Sequence, residues 1–379
     1  MRDVIEVKND EYHFKYIDVK TPFEPSPSLE LFREMEYLKI KQRFRSVITN
    51  YGLRPKKRKL VEVVSRIMTG HILSVHSGVN AELEDGFFHC DKNIDVIAAD
   101  IEYFFVGVSK ELAKKISDEI NVVGMFRDAV SRMSTVVKKS KVYKKTSVGV
   151  MTQFNSLGLI KHTLNIPTTI YKNLEKRYRE YKVKHKHKHK FDDLVYTLLL
   201  RYNTFDSGGQ QWGMPYVIRE KFRRMGFNFE CFASALNHYY YYYCSMFYDI
   251  EKYFMSLGPF QNIEYIRGVY MANPPYELNV LNRIVTTFTN ALAKSRPLVF
   301  MYGLPDWEMS GEKFYFMDES RRTPYHKYHV VFESYVHPWH DFMNNNMVMK
   351  IPSSYRFVLA NTHVDVEKIK EIIEEWRWL

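Results

Sequence analysis

Two styles of hydrophobic patterning divide the chain near residue 200. Before it, apolar residues recur every three or four positions, as in LELFREMEYLKIKQRFRSVITNYG, which is typical of amphipathic helices. After it, short apolar runs such as RGVYMANP and RPLVFMYGLP alternate with helix-like segments such as LNVLNRIVTTFTNALAKS. The pattern predicts a mostly helical domain over residues 1–200 and an α/β domain with a mainly parallel sheet over residues 201–379.

Local signals refine this prediction at several points. Ser109 precedes ELAKKISDEI and is predicted to cap that helix. The run FNFECFASALN is predicted to form a strand followed by a helix, and the five tyrosines Tyr239–Tyr243 are predicted to begin a helix. The late runs YHKYHVVFESYV and SYRFVLANT, with no long helix between them, predict an antiparallel hairpin at the edge of the sheet.

Charge is concentrated in one part of the chain. Residues 101–200 carry 20 Lys and Arg against 9 Asp and Glu, whereas the numbers balance at 16 and 16 in residues 1–100 and at 19 and 19 in residues 201–379. A local basic block favours a polyanionic partner such as RNA or DNA, although a solvated lysine-rich helix face has the same signature. The 28 Tyr and 26 Phe suit base stacking and an aromatic core equally well.

The cysteines and the chain termini carry fewer signals. Cys90, Cys231 and Cys244 form no CxxC pair or Cys/His ligand spacing, so we expect no metal site and an intracellular location, in the nucleus or the cytoplasm. The opening MRDVIEVKND has no apolar core of a secretory signal, and no apolar run approaches the roughly 20 residues that span a membrane. The run KHKHKHK could bind metal or phosphate, or act as a mobile connector.

The stretch VYMANPPYEL carries the most specific chemistry. Pro274 and Pro275 remove two N–H donors, so the end of this predicted strand presents acceptors, namely the Asn273 side-chain oxygen and the Pro274 carbonyl. Such a corner suits a substrate that brings only N–H donors, such as the exocyclic amine of a nucleobase, and Tyr276 would stack on the base. The electrophile must then come with a cofactor, and S-adenosylmethionine meets that requirement. A rigid turn remains the alternative for the tetrapeptide alone.

Two further groups are candidates for chemistry. Glu230, followed by the small residues Ala233 and Ser234, ends an apolar run where the backbone could approach a ligand closely. His326 and His329, with Asp318, could serve in acid–base chemistry, but methylation of an amine needs no strong base, so surface or strand histidines are the simpler interpretation.

Several motifs in a fixed order resemble one known family. The motifs FECFASALN, YCSMFYDIEKYFMSLGPF, ANPPYE, LPDW and SRRTPYHKYHVVFESYVH, spread over roughly residues 200–345, are similar to those of cap-specific adenosine N6-methyltransferases, the phosphorylated-CTD-interacting-factor family. The resemblance implies a Rossmann-like class I methyltransferase domain preceded by a mostly helical domain. It also implies S-adenosylmethionine as the cofactor and the 5′ end of capped RNA as the partner.

The resemblance assigns roles by motif. The implied catalytic residues are Asn273, Pro274, Pro275 and Tyr276, with Tyr276 where animal members have Phe. The implied cofactor-binding residues are Glu230, Phe232, Ala233, Ser234, Asn237 and Asp249, the last contacting the ribose or the amine. The implied substrate-binding residues are Asp306 and Trp307, since a methylated guanine is cationic and stacks well on indole.

The resemblance is weaker outside these motifs. Animal members carry an N-terminal WW module that docks polymerase tails, and none is recognisable here, so we do not expect that docking. The helical half resembles the family only vaguely, and the basic block at residues 101–200 is the predicted RNA- and cap-binding region.

The sequence therefore predicts an enzyme that methylates N6 of the cap-adjacent (2′-O-methyl)adenosine of mRNA. An adenine N6-methyltransferase of internal RNA or of DNA, and a catalytically silent RNA-binding module of the same fold, remain alternatives.

Overall fold

The computed structural model has a mixed α/β architecture and describes residues 2–19, 23–56, 58–76, 85, 87–88, 96–139, 141–157, 160–205, 209–294, 297–307, 313–348 and 352–379. The strands are β1 Arg2–Lys8, β2 His13–Val19, β3 Tyr143–Val148, β4 Met151–Ser156, β5 Thr163–Pro167, β6 Trp212–Gly213, β7 Phe229–Glu230, β8 Tyr242–Tyr243, β9 Ile263–Ala272, β10 Leu298–Pro305, β11 His326–Phe332, β12 Trp339–Asp341, β13 Asn346–Val348 and β14 Ser354–Ala360. The helices are α1 Pro27–Asn50, α2 Leu60–His76, α3 Val96–Phe104, α4 Lys110–Ile120, α5 Val122–Met133, α6 Thr168–Lys184, α7 Phe191–Phe205, α8 Tyr216–Arg224, α9 Tyr248–Glu251, α10 Leu278–Lys294, α11 Tyr315–Arg322 and α12 Val366–Arg377.

The chain forms two compact units that are not simple halves. The sheet unit comprises residues 1–20, 167–185 and 209–379, and the helical unit comprises residues 21–166 and 186–208. The sequence predicts one boundary at residue 200, whereas the first 20 residues and α6 belong to the sheet unit. The reason at the N-terminus is strand pairing, because β1 and β2 form a hairpin and β2 pairs antiparallel with β9.

The helical unit contains α1 to α5, α7 and a small sheet in the order β3–β4–β5. This sheet was not predicted, since residues 1–200 were expected to be mostly helical. The predicted cap of α4 is confirmed, because the Ser109 side chain accepts from the Leu112 N–H at 3.2 Å. Buried ion pairs join helices inside the unit. Glu30 of α1 accepts from Arg201 of α7 at 2.6 Å and from Arg33 at 2.9 Å.

The main sheet of the other unit has eight strands: β8, β7, β9, β10, β14 and β11 are neighbours in that order, and the β1–β2 hairpin also pairs with β9. Neighbours from β8 to β10 are parallel, and β14 lies antiparallel between β10 and β11. The predicted antiparallel pair at the edge is therefore present as β11 and β14. Helices α8 and α12 pack on one face through an apolar cluster that includes Ile218, Phe222, Ile369 and Trp376, and α10 packs on the other face through Phe288, whose ring lies 4.0 Å from that of Phe300.

The strand register brings several chain segments to one edge of this sheet. Ala272, the last residue of β9, lies beside Tyr302 of β10, and Glu230, the last residue of β7, lies beside Met271. The antiparallel strand β14 begins at the same edge, where Ser354 lies beside Pro305. The segments that follow β7, β9 and β10 therefore leave the sheet next to one another, as expected at the carboxyl ends of parallel strands.

Two predicted helices are absent between β7 and α9. The residues after β7 form bends and one turn, and the tyrosine run contains bends and the short strand β8. The physical cause is local competition for backbone donors. The Ser234 N–H donates to Asn237 Oδ1 at 2.8 Å, and the Leu236 N–H donates to Ser234 Oγ at 3.1 Å. Side chains thus take the N–H groups that a helix would have used.

No helix among the residues that the structure describes is both long and apolar enough to cross a bilayer. Cys231 and Cys244 are buried free thiols, and Cys90 lies outside the described residues.

Candidate active site

The tetrapeptide Asn-Pro-Pro-Tyr follows directly on β9. Pro274 is buried, and Asn273 and Tyr276 are partly exposed. The Pro275 carbonyl accepts from the Glu277 N–H at 2.9 Å, and the Glu277 carboxylate accepts from the Val280 N–H at 2.9 Å at the start of α10. A rigid turn and a capped helix therefore fix the tetrapeptide from its C-terminal side.

The turn carries the two predicted acceptors, the Asn273 side-chain oxygen and the Pro274 carbonyl. None of the hydrogen bonds between described residues uses the Asn273 side chain or the Pro274 carbonyl. Both oxygens belong to residues that follow a buried strand end, so they lie where the sheet opens to the segments after β7 and β10. The arrangement can accept two N–H bonds from a bound amine.

Tyr276 has an unexpected neighbour on β14. The buried Arg356 interacts with Tyr276, which partly offsets the lowering of the Arg356 pKa by burial. The sequence did not identify Arg356, which lies in an apolar strand. Gly303 in the middle of β10 was a usable signal, because a glycine within a strand often marks a close approach of another group.

Glu230 is engaged inside the protein. Its Oε1 accepts from Arg219 Nη1 at 3.1 Å, and its Oε2 accepts from the Tyr239 N–H at 2.7 Å. Burial raises the pKa of Glu230, while Arg219 and the N–H donors oppose this rise. Arg219 also donates from Nη1 to the Asn237 carbonyl at 2.8 Å, so the pair joins α8 to the loop after β7. The sequence did not identify Arg219 as a partner of Glu230.

The remaining residues of this loop form a network with Gln211. Ser234 Oγ donates to Gln211 Oε1 at 2.6 Å, and both Ser234 and Asn237 are buried. Ala233 and Phe232 are partly exposed, and the Phe232 ring packs on Phe260 with centroids 4.5 Å apart. Of the six predicted cofactor residues, five therefore fall into two groups: Glu230, Ser234 and Asn237 take part in internal hydrogen bonds, whereas Phe232 and Ala233 reach the surface of the loop.

Two acidic residues lie in the short helix α9. Asp249, which was predicted to contact the cofactor, is 1% exposed. Glu251 was not predicted, and its Oε2 accepts from the Ala235 N–H at 2.6 Å, which ties α9 to the loop after β7. The helix and that loop thus form one connected structure beside the ends of β7 and β8.

The predicted substrate residues follow β10. Asp306 Oδ2 accepts from Ser353 Oγ at 2.9 Å, and the Asp306 N–H donates to the Ser353 carbonyl at 3.0 Å. The Trp307 ring meets Phe314 and Phe316 edge-on, with centroids 5.6 Å and 5.8 Å away. Trp307 is partly exposed. The strand register places Asp306 and Trp307 at the same edge of the sheet as Asn273.

The histidine candidates give no metal site among the described residues, where no group of three or more His, Cys, Asp or Glu could hold an ion. His326 and His329 lie on β11 within 3.0 Å of each other, and burial lowers the pKa of both. In the KHKHKHK run, His189 lies 2.8 Å from Glu24 in the helical unit.

Known proteins are similar to this chain in the region that contains these residues. Residues 172–342 match the family model described as "Phosphorylated CTD interacting factor 1 WW domain". This part of the chain is similar to that family. The match confirms the family resemblance that the motifs predicted.

Two curated proteins align with this chain. A Mus musculus protein named mRNA (2'-O-methyladenosine-N(6)-)-methyltransferase is 32% identical over 164 residues, which is 40% of this chain and 23% of the relative. The Homo sapiens protein of the same name is 32% identical over 152 residues, or 38% of this chain and 22% of the relative. The aligned part thus spans less than a quarter of either relative.

The family match also has a defined extent in the structure. It begins inside α6 and ends just after β12, so it includes Asn-Pro-Pro-Tyr, the loop after β7 and the Asp306–Trp307 pair. The description of the matching model names a WW domain, but these residues contain the centre of the main sheet. Arg356 and most of the helical unit lie outside the match.

Proposed function

We propose that this chain is an S-adenosylmethionine-dependent methyltransferase that methylates N6 of the cap-adjacent (2′-O-methyl)adenosine of mRNA. One structural observation carries the proposal. Asn273 Oδ1 and the Pro274 carbonyl, which no hydrogen bond between described residues uses, follow β9 at the carboxyl edge of the sheet. The name of the mouse and human relatives supports the choice of substrate.

The fold supports a Rossmann-like class I methyltransferase domain. Strands β8, β7, β9 and β10 are parallel, helices cover both faces, and one antiparallel strand is inserted next to the edge. In sheets of this kind ligands bind beyond the carboxyl ends of the strands. The candidate residues follow β7, β9 and β10 at that edge.

The two acceptors would act on the adenine amine itself. The lone pair of this amine is delocalised into the ring, which makes it a weak nucleophile. When both N–H groups donate to Asn273 Oδ1 and the Pro274 carbonyl, out of the plane of the base, the nitrogen moves toward tetrahedral geometry and its lone pair becomes available. Tyr276 would hold the base by stacking, so the reacting nitrogen stays in place.

The loop after β7 fits S-adenosylmethionine in part. Ala233 has a small side chain and Phe232 offers a partly exposed ring, which suit close backbone approach and stacking on the cofactor. Asp249 supplies a carboxylate near the ends of β7 and β8. Internal hydrogen bonds engage Glu230, Ser234 and Asn237, so their role in this proposal is to maintain the shape of the loop. When bound, the cofactor supplies a methyl group on a sulfonium.

We assign RNA binding to two regions. Trp307 would stack on a base or on the cationic methylated guanine of the cap, with Asp306 holding the turn that carries it. The basic residues at 101–200 would contact phosphates, and those of the helical unit include exposed lysines of β3, such as Lys144.

A methyl-incorporation assay tests the proposal. The substrates are RNAs that begin with A or with G, each with and without a cap, together with an RNA that has only internal adenosines and a DNA duplex. We expect label only in the capped RNA that begins with A. Equal labelling of internal or DNA adenines would favour the alternative enzymes.

Binding of S-adenosylmethionine distinguishes an enzyme of low activity from a catalytically silent RNA-binding module. We expect S-adenosylmethionine to bind in calorimetry even without RNA, whereas RNA binding without any cofactor binding would indicate a catalytically silent module. A peptide of the phosphorylated polymerase tail belongs in the same binding series, because the family description names a WW domain and we expect no binding of that peptide.

A further inference from the structure

The small sheet of the helical unit has one covered face and one open face. Residues alternate along β4 and along β5 between buried and more exposed positions. On the covered face, the Phe154 ring packs on Tyr143 and on Tyr196 of α7, with centroids 5.4 Å and 6.3 Å apart. The opposite face carries polar side chains that are partly or fully exposed. We call it the outer sheet face, and it consists of Lys144, Thr146, Gln153, Asn155, Thr163 and Asn165.

The strand register supports this assignment of faces. Lys144 lies opposite Asn155, and Thr163 Oγ1 donates to Asn155 Oδ1 at 3.0 Å, so the three side chains share one face. Lys145, the next residue along β3, pairs with Asp192 of α7 at 2.7 Å on the covered face. Asp192 therefore neutralises the lysine on the covered face and leaves Lys144 on the open one.

The chain segment that forms this sheet is basic and lacks acidic residues. Residues 129–166 carry seven Lys and Arg and no Asp or Glu. Lys144 and Lys161, the latter two residues before β5, are exposed, and none of the ion pairs between described residues involves either of them. A solvated surface usually mixes both signs of charge, whereas an unbalanced positive surface attracts a polyanion.

The neutral side chains of the outer sheet face add hydrogen-bonding groups without adding rings. Gln153 and Asn165 each offer an amide, and none of the hydrogen bonds between described residues uses either side chain. Amides donate to phosphate oxygens and exchange hydrogen bonds with ribose hydroxyls. Stacking on bases needs an aromatic ring, and the six residues of this face include none. The face is therefore suited to the backbone of a nucleic acid and not to its bases.

We propose that the outer sheet face, together with Lys161, binds the ribose–phosphate backbone of single-stranded RNA without sequence preference. Lys144 and Lys161 neutralise phosphates, while Gln153 and Asn165 hydrogen-bond to 2′-hydroxyls, which distinguish RNA from DNA. This inference deepens the proposed function and rests on it, because it assigns to one surface the RNA that follows the cap-adjacent nucleotide of the substrate.

Protection of a sheet edge does not account for these residues. Lysine on an edge strand prevents pairing with other chains, and β3 is an edge strand of this sheet. Gln153, however, lies on the central strand β4, where no edge needs protection, and Lys161 lies outside the strands. A backbone-binding face explains the lysines and the amides together.

The salt dependence of RNA affinity tests the charged part of the proposal. Fluorescence anisotropy measures the affinity of the full chain for an uncapped oligouridine at several salt concentrations, in the wild type and in the double variant Lys144→Gln with Lys161→Gln. We expect the slope of log affinity against log salt to become shallower by about 0.7 for each lysine, which corresponds to roughly a fivefold loss of affinity per lysine at about 0.1 M salt. An unchanged slope and affinity would overturn the proposal.

The control for the charge change is Lys327→Gln. Lys327 is an exposed lysine on β11 of the sheet unit, and none of the ion pairs between described residues involves it. The control should keep the wild-type slope. All these substitutions are at exposed positions, so the unfolding temperature should also stay the same. An equal loss of affinity in the control would indicate a general charge effect and would overturn the assignment to this face.

The preference for RNA over DNA tests the amide part. The double variant Gln153→Ala with Asn165→Ala is compared with the wild type on oligouridine and on oligodeoxyuridine. We expect the variant to lose roughly fivefold in RNA affinity, with DNA affinity and the salt slope unchanged, because it loses hydrogen bonds but no charge. Equal losses on RNA and DNA would overturn the contact with 2′-hydroxyls. A poly-glutamate peptide that binds as tightly as RNA would instead assign the face to an acidic protein.

Methyl transfer separates this inference from the proposed function. Lys144→Gln with Lys161→Gln should raise the KM for a long capped RNA that begins with A, while kcat and the KM for a capped dinucleotide stay unchanged. If the wild-type chain transfers no methyl group, the proposed function fails, and the binding series still decides the role of the outer sheet face. If the wild type transfers methyl groups but the variants bind uncapped RNA as it does, the assignment of the face fails alone.

Discussion

Glu230 Oε1 accepts a hydrogen bond from Arg219 Nη1 at 3.1 Å inside the sheet unit, where the two side chains are 9% and 3% exposed. The other carboxylate oxygen accepts from the Tyr239 N–H. This pair joins α8, the end of β7 and the tyrosine run, so the motif residue that resembled a cofactor ligand also fixes the shape of its loop.

Glu230→Gln should therefore destabilise the protein more than it weakens cofactor contacts. The substitution leaves Arg219 buried without its counter-charge, and breaking a buried pair in this way costs about 3 kcal/mol of unfolding free energy. Urea unfolding at pH 7 measures it. The double variant Arg219→Met with Glu230→Met removes both charges and should recover most of the loss. A double variant as unstable as the single one would show that the intact pair is itself stabilising, and that the loss does not come from an unpaired Arg219 charge.

Asn273→Ala should remove methyl transfer while the fold and cofactor binding persist. The Asn273 side chain takes part in no hydrogen bond between described residues, so its loss leaves the hydrogen bonds among those residues intact. Loss of one group that stabilises the reacting atoms costs roughly a hundredfold or more in kcat. Single-turnover methyl transfer measures this loss, and calorimetry measures S-adenosylmethionine affinity.

The control for this variant is Asn203→Ala, which makes the same change at an exposed position of α7. It should leave kcat unchanged. Turnover of Asn273→Ala within a few-fold of wild type would contradict the role of the amide oxygen.

The sequence predicted the features that depend on local chemistry. These features are β9, which precedes Asn-Pro-Pro-Tyr, its neighbour β10 and the Ser109 cap. Each of them depends on a few adjacent residues. Arg219 and Arg356 were missed because their roles depend on tertiary contacts with groups on other elements. The turn after β7 was mistaken for a helix, since Ser234 and Asn237 capture backbone donors that propensity assigns to the next helical turn.

Trp307→Ala should mainly raise the KM for capped RNA. Stacking of a base on an aromatic side chain contributes about 1–3 kcal/mol, which corresponds to roughly a fivefold to hundredfold loss of affinity. Trp307→Phe keeps a ring between Phe314 and Phe316 and should recover part of it. Trp378→Ala removes a tryptophan that is 77% exposed and serves as the control. A lower kcat with an unchanged KM would show that Trp307 supports the structure of the site and does not bind the substrate.

His238 makes the stability of the sheet unit depend on pH. Its ring stacks on Tyr243 with centroids 4.2 Å apart, and its Nδ1 lies 3.2 Å from the Tyr240 carbonyl. Burial, and to a lesser extent Arg177 and Arg219, lower the pKa of His238 from 6.5 to about 3. As pH falls below about 6.5, the unfolded chain takes up a proton that the folded chain does not. The free energy of unfolding should then fall by up to about 1.4 kcal/mol per pH unit, and this contribution levels off only near pH 3.

His238→Asn tests this dependence because an amide can still donate to the Tyr240 carbonyl but does not titrate. Urea unfolding from about pH 7 to about pH 4.5 should show a shallower loss of stability in the variant than in the wild type. Some slope should remain, since burial also lowers the pKa of His337, to about 4. His363→Asn changes an exposed histidine and should follow the wild-type curve. Parallel curves for His238→Asn and the wild type would mean that His238 does not remain neutral in the folded chain, and the acid sensitivity would then have to arise at other groups.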